Sequence, residues 1–144
     1  MELVDKSVIL RKIADLETYE SQIAPYAAVT AQAYRDDWKT QRIVERTLQM
    51  MIETCVDIAN HIVSDKGMRL PTSYADTFTV LREHAVIDAG LSGVLERMTK
   101  FRNIVVYQYE GVDAEIVIGI LKNHLADFGR FRDAVLSYLK KLQS

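Results

Sequence analysis

The chain has 144 residues, of which 49% are hydrophobic and 26% are charged, and its net charge is −2. This length suits one domain with its own core, and the slight negative charge argues against a protein that coats nucleic acid through positive charge alone. No apolar run approaches the ~18 residues needed to cross a membrane. We therefore predict a single domain over residues 1–144 that has no membrane contact.

The first half of the sequence predicts two amphipathic helices with a short turn between them. Apolar residues recur at helical spacing over residues 5–23, and Pro25 ends the pattern. A capping threonine predicts a short helical turn over residues 30–34. A longer amphipathic helix of about 26 residues spans residues 40–65, and Gly67 stops it.

The second half predicts three more helices. Residues 73–84 form a shorter one, and a larger one spans residues 88–108 or 92–108. Gly111 interrupts the pattern, and Asp113 is suited to cap one last helix. Long helices joined by short loops bury their apolar faces on one another. We predict an all-α antiparallel bundle of about five to six helices whose surplus apolar surface is covered in a homodimer.

One segment, KFRNIVVYQYEGVD over residues 100–113, contains polar, apolar and aromatic residues in a distinctive order. Arg102 and Asn103 precede an apolar run, and Tyr107 and Tyr109 follow it. Composition alone favours a helix whose arginine and asparagine face solvent while the tyrosines fill the core. Taken by itself, the segment only suggests a functional site.

This segment resembles the signature of HEPN proteins, in which an arginine is followed after four to six residues by a histidine. It is most similar to the HepT form of the signature, which has Arg-Asn, three variable residues, His, any residue and Tyr. Arg102, Asn103 and Tyr109 match that pattern position by position, whereas Tyr107 stands where the family has histidine.

The resemblance continues outside the motif and implies a fold and an activity. Residues 44–67 resemble the family's long second helix, and residues 81–103 resemble its approach to the active site. The family implies a HEPN-type bundle that cleaves RNA, possible targets including tRNA, without a metal and at a site formed across a homodimer. There, the ribose 2′-OH attacks the adjacent phosphodiester. Arg102 would stabilise the growing phosphate charge, and Asn103 would position a phosphate or a neighbouring side chain.

Position 107 is where the sequence departs from the family pattern. Histidine can take and give a proton near neutral pH, whereas a phenol ordinarily titrates near pH 10, so roughly one phenol in a thousand would be the required base at pH 7. Tyr107 therefore predicts a weakened or inactive nuclease. Two origins stay open: a natural homologue that has lost activity, and a substitution that detoxifies the protein.

The resemblance also implies a partner, a minimal nucleotidyltransferase of the MntA type that acts as the antitoxin. That enzyme would use ATP and Mg²⁺ to attach AMP to Tyr109, while this chain would need no cofactor or metal of its own. If residues 102–109 form one helix, Tyr109 lies on the same face as Arg102, and Tyr107 lies about 140° away.

A polar line on the long helix, formed by Glu53, Asp57 and His61, repeats every four residues. A metal site would need further ligands from elsewhere in the chain. We predict instead a hydrogen-bonded polar strip that lines the cleft, in which Asp57 holds Arg102 or the base in place.

Two basic residues, Arg97 and Lys100, lie just before the motif. With Arg102 they could form the local positive patch that an RNA backbone requires. Alternatively, they belong to a solvated helix face on which Glu96 balances their charge.

The sequence also bears on location and leaves two functions open. Cys55, the only cysteine, lies in an apolar helical pattern, and the first residues lack the apolar core of a signal peptide. We therefore expect a cytoplasmic protein. It is either the RNase toxin of a toxin–antitoxin pair or a non-catalytic helical module that docks a nucleotidyltransferase.

Overall fold

A computed structural model describes residues 4–108 and 111–143. In this part of the chain there are seven α-helices, one 3-10 turn and no strand. The helices are α1 (Lys6–Ile23), α2 (Ala31–Asp36), α3 (Trp38–Asp65), α4 (Tyr74–Glu83), α5 (Ala89–Tyr107), α6 (Ala114–Asn123) and α7 (Leu125–Leu142). The predicted all-α class is confirmed. None of the described helices is both long enough and apolar enough to cross a membrane.

Short polar residues ahead of the helices determine where most of them begin. Each of these residues accepts a hydrogen bond from a backbone N–H in the first turn, which satisfies a donor that the helix itself leaves unpaired. The residues that cap in this way are Asp5, Thr30, Asp37, Ser73, Asp88 and Asp113. α3 begins two residues earlier than predicted because Asp37 caps it. Of the two predicted starts of α5, the one at Asp88 is correct.

The prediction of a single last helix is wrong, because the chain breaks at His124 into α6 and α7. The backbone of His124 leaves the helical region (φ −127°, ψ 0°), and its Nδ1 lies 2.9 Å from Oδ2 of Asp127. Asp127 is buried and also pairs with Arg130. Both halves turn their apolar residues to the same core, so the apolar pattern continues across the break and does not reveal it.

α3 is the central helix and packs against α1, α2, α4, α5 and α7. The residues whose spacing gives this helix its apolar face are all buried: Val44, Leu48, Met51, Ile52, Cys55, Ala59 and Ile62. A fully buried leucine or isoleucine side chain stabilises the fold by about 1.5–3 kcal/mol relative to an exposed one. This face therefore dominates the energetics of the bundle and fixes the rotation of α3 about its axis.

Polar contacts set α1 antiparallel to α3. The backbone N–H of Asp5 donates to Asp65 at 2.9 Å, and Lys12 Nζ lies 3.5 Å from a carboxylate oxygen of Asp57. The start of α1 thus meets the end of α3. An exposed ion pair such as Lys12–Asp57 contributes about 0–1 kcal/mol, so these contacts select the register of the two helices while the apolar core supplies most of the stability.

α3 and α4 end in the same capping motif, with one difference in sequence. After α3, Met68 N–H donates to Val63 O at 2.9 Å and Gly67 adopts φ +62°. After α4, Val86 N–H donates to Leu81 O at 2.9 Å, but the left-handed position is Ala85, with φ +58°. This is the Schellman arrangement, whose left-handed residue is usually glycine.

This pair of caps yields a matched prediction for stability. Ala85→Gly should raise the free energy of unfolding by about 0.5–1 kcal/mol, because relief of left-handed strain (~1–2 kcal/mol) exceeds the entropy that glycine adds to the unfolded chain (~0.4–1 kcal/mol). Gly67→Ala should lower it by a similar amount. Urea denaturation followed by circular dichroism measures both changes. Destabilisation by Ala85→Gly would show that the strain at this cap is negligible.

Candidate active site

Arg102 lies near the end of α5 and turns toward α3 and α4 rather than toward solvent. Its side chain is only 14% exposed. Nε donates to Glu53 Oε2 at 3.4 Å, and one Nη1–H donates to Asn103 Oδ1 at 3.1 Å. Two of its five N–H donors are thus engaged by described residues, and the other three are available to hold an anion.

Tyr74 forms one wall of the Arg102 site. Its ring centre lies 5.2 Å from the guanidinium carbon of Arg102, within the range of a cation–π contact. Tyr74 is the first residue of α4, directly after the Ser73 cap. Arg69 donates to Asp76 and Glu83 of α4, ties the preceding loop to that helix and holds the pKa of the Asp76 carboxyl well below its usual range. The start of α4 therefore positions Tyr74 against the guanidinium.

Glu53 is the carboxylate that contacts Arg102, and the predicted pairing of Arg102 with Asp57 is wrong. Gln49 Nε2 donates to Glu53 Oε2 at 3.2 Å, which fixes the carboxylate from the preceding turn of α3. Asp57 lies one turn further along, about 6 Å up the helix axis. There it pairs with Lys12 of α1 instead.

The predicted polar strip is consequently divided between two places. Glu53 belongs to the Arg102 site, whereas Asp57 and His61 line a separate small cavity of about 340 Å³ beside Lys12. Among the described residues there is no group of three or more histidine, cysteine, aspartate or glutamate side chains arranged to hold a metal ion.

Position 107 faces a different side of α5 from Arg102. Tyr107 is the last residue of the helix and is 68% exposed. Five residues of helix rotate it by about 140° from Arg102. Asn103 lies four residues before Tyr107 on the same exposed side, yet its amide oxygen reaches back to the guanidinium. Within one chain, Asn103 therefore lies between the face of α5 that carries Arg102 and the face that carries Tyr107.

The prediction that Tyr109 shares a helix face with Arg102 required the helix to continue from Arg102 to Tyr109. The structure does not meet this condition. α5 ends at Tyr107, and Gln108 is extended (φ −97°, ψ 119°). Tyr109 itself lies outside the described residues. Its modification therefore stays a prediction, without support from helical geometry.

Arg97 and Lys100 do not join Arg102 in one patch on this chain. Both are exposed and lie about 140–160° away from Arg102 around α5. Glu96, their expected counter-charge, turns to the interior and accepts hydrogen bonds from Thr79 Oγ1 at 2.5 Å and Ser92 Oγ at 3.2 Å. Any contact of Arg97 and Lys100 with RNA would therefore use a surface different from the one at Arg102.

Two residues of the site were not singled out by the sequence analysis. Gln49 stands four residues before Glu53, so the helical spacing carried a readable signal. Tyr74 belongs to a different helix from Arg102 and Glu53, and no local pattern links it to them. Its role becomes visible only when α4 packs against α3 and α5.

Other candidate groups lie away from Arg102. Cys55 is fully buried, and burial raises the pKa of its thiol well above the ordinary value, so it is no nucleophile at neutral pH. A cavity of about 910 Å³ lies between the start of α5 and α7, with His84, Asp127 and Tyr138 on its walls. None of the predicted site residues lines it.

Comparison with known proteins identifies relatives over nearly the whole chain. The family model described as Ribonuclease HepT-like matches residues 9–135. The mRNA nuclease HepT of Shewanella oneidensis is 34% identical over 128 residues, which covers 89% of this chain and 96% of that protein. The tRNA nuclease HepT of Aphanizomenon flos-aquae is 20% identical over 140 residues, covering 97% and 95% of the two chains.

A solved structure shares the fold. It is described as a tri-AMPylated Shewanella oneidensis HEPN toxin in complex with MNT antitoxin. Its matching chain is 32% identical to this one, with a TM-score of 0.82 over 90% of this chain and 97% of that chain. The arrangement of helices around α3 is therefore the one found in that toxin.

Proposed function

Because this chain belongs to the HepT-like ribonuclease family, we propose that it is the toxin of a toxin–antitoxin pair and that its site is built to cleave RNA. The observation that carries this proposal is the largely buried guanidinium of Arg102, which Glu53 and Tyr74 hold while three of its N–H donors have no partner among the described residues. A cation fixed in this way is suited to hold a phosphate in a set orientation.

The reaction needs a positive charge to stabilise the phosphate and a base to accept the proton of the 2′-OH. The 2′-oxygen forms a bond to phosphorus while the bond from phosphorus to the 5′-oxygen breaks. The proton of the 2′-OH passes to a base, and the departing 5′-oxygen takes a proton from an acid. Arg102 would stabilise the phosphate charge in the transition state. The base is expected at position 107, where this chain has a phenol, so we propose that its nuclease activity is weak or absent.

We propose that the complete site is formed by two chains. Arg102 turns toward α3 and α4, whereas Tyr107 is exposed about 140° away on the same helix. One chain therefore presents the phosphate-binding group and the base position to different sides. Val106, beside Tyr107, is also exposed, and apolar surface next to a polar site is suited to a second copy of the chain.

The proposed partner is a nucleotidyltransferase of the MntA type. The Shewanella oneidensis toxin is described as tri-AMPylated and bound to its MNT antitoxin. By analogy, an antitoxin using ATP and Mg²⁺ would modify Tyr109 of this chain, which would itself need no metal or cofactor. The two nuclease relatives are named for mRNA and for tRNA, so we propose both as test substrates. We place the protein in the cytoplasm, where buried Cys55 stays reduced.

A second candidate function is supported by Tyr107. It places an exposed phenol where the family pattern has an imidazole, the side chain suited to acid–base catalysis near neutral pH. A helical module that only docks a nucleotidyltransferase would keep the same fold without cleaving RNA. The two functions differ in whether restoring the histidine creates an RNase.

Tyr107→His should therefore raise RNA cleavage by about 10²–10⁴-fold, because imidazole supplies general acid–base catalysis near pH 7. Both proteins are expressed without antitoxin, purified and incubated with bulk tRNA and with mRNA. Adding Arg102→Ala should abolish the gain, since the phosphate charge is again uncompensated. Cleavage should persist in EDTA.

The outcomes of this experiment separate the two functions. If neither protein cleaves RNA, the docking module is favoured. If the protein with Tyr107 cleaves as fast as Tyr107→His, position 107 is not the base. Sedimentation should show both proteins as dimers of the 16.4 kDa chain. A monomer that cleaves RNA would contradict the site formed by two chains.

Glu53 and Asp57 form a matched pair of carboxylates for testing how Arg102 is held. In the Tyr107→His background, Glu53→Gln should lower the cleavage rate by about 10- to 100-fold, because the guanidinium loses its ionic anchor and its orientation. Asp57→Asn should leave the rate close to the starting value, since Asp57 pairs with Lys12. Equal losses in the two variants would show that Glu53 has no special role in positioning Arg102.

Tyr109 should gain AMP when the protein is incubated with a cognate nucleotidyltransferase, ATP and Mg²⁺. Tyr109→Phe should not react, because it lacks the nucleophilic hydroxyl, whereas Tyr107→Phe should still be modified. Mass spectrometry of proteolytic fragments locates the adduct. An adduct found on Tyr107 alone, or on neither tyrosine, would refute the assignment.

A further inference from the structure

A polar strip on α3 leads away from the Arg102 site. Arg42, Arg46, Gln49 and Glu53 lie within about 60° of one another around the helix and extend over about 16 Å of its axis. Glu53 contacts Arg102, and Gln49 donates to Glu53. The strip thus begins at the proposed phosphate-binding group and continues as two arginines.

A cavity of about 280 Å³ opens over this strip. Arg42, Arg46 and Gln49 line it from α3, and Val105 and Gln108 line it from the end of α5. Gln49 both lines the cavity and bonds to the carboxylate that holds Arg102. Val105 stands one turn after Arg102. The cavity therefore adjoins the Arg102 site directly.

Charge in the cavity is unevenly balanced. Arg42 pairs with Glu45 at 3.4 Å, and Glu45, which also lines the cavity, accepts a hydrogen bond from the buried Tyr34 hydroxyl at 3.0 Å. Arg46 is exposed and forms neither an ion pair nor a hydrogen bond with any residue in the described part of the chain. Its guanidinium is thus a free cation beside two side-chain amides that can donate hydrogen bonds.

We infer that this cavity is a subsite for a backbone phosphate of the RNA strand, next to the linkage that Arg102 holds. Arg46 would bind the phosphate, with Gln49 and Gln108 beside it. RNA is the ligand that fits, because its phosphates repeat along one strand, so a strand bound at Arg102 places further phosphates along α3. This inference rests on the proposed function and extends it from one linkage to a longer stretch of RNA.

RNA binding by the chain as it exists gives the first test. Fluorescence anisotropy with a labelled single-stranded RNA should show that Arg46→Gln weakens binding by about threefold to tenfold and reduces the slope of log K against log salt concentration by about 0.7. Arg46→Lys should retain part of the affinity. Arg82→Gln, which removes one positive charge from α4 outside the cavity, serves as the matched control. Equal effects of Arg46→Gln and Arg82→Gln would overturn the inference.

Cleavage in the Tyr107→His background gives the second test. Arg46→Gln should lower kcat/KM for a long single-stranded RNA and leave that for a dinucleotide unchanged, because a dinucleotide has no phosphate beyond the cleaved one. Equal losses on both substrates, or no loss on the long one, would overturn the subsite. If Tyr107→His cleaves nothing, the proposed function fails, while the binding experiment still tests the subsite.

Discussion

The burial of one face of α3 is the constraint on which the other features depend. Its apolar face fills the centre of the bundle, with Leu48, Met51 and Ile62 fully buried. A helix fixed in rotation by its core presents its remaining faces in fixed directions too. Glu53 therefore points to α5, and Asp57, one turn further along, meets α1. The proposed chemistry uses the side of α3 that the core leaves free.

The half-burial of Arg102 has an energetic cost that its neighbours offset. A guanidinium removed from water loses solvation, and a lone carboxylate partner at 3.4 Å recovers only part of it. The Tyr74 ring and the Asn103 amide supply further contacts. The result is a cation that is oriented but keeps N–H donors without a partner among the described residues. Such preorganisation is useful only to a ligand that brings its own negative charge.

Arg102 and Tyr107 lie near the same end of α5 but face different surroundings. Arg102 and Tyr107 are close in sequence, yet one is largely buried and the other exposed on another side of α5. This separation is the reason why we propose that a second chain completes the site. The same exposure makes position 107 tolerant of either a phenol or an imidazole, because no core contact would be lost by the exchange.

Local physics made much of the fold predictable from the sequence. Helix starts at Thr30 and Asp113 followed from side chains that bond to their own first turn, and the apolar face of α3 followed from periodicity. The break at His124 escaped prediction because two helices share one continuous apolar pattern. The end of α5 at Tyr107, by contrast, agrees to within one residue with the predicted end at residue 108.

The features of the candidate site also fall into those that the sequence predicted and those that it did not. The sequence by itself determined which residues carry the motif, because Arg102, Asn103 and Tyr109 stand at the spacings of the family pattern, with Tyr107 at the position of its histidine. Only the tertiary structure decided that Glu53 rather than Asp57 holds the arginine, that Tyr74 covers it, and that Arg46 lies nearby. These contacts join different helices. They depend on how far each helix is turned and shifted against its neighbours, and that is settled by packing of the whole core rather than by any local pattern.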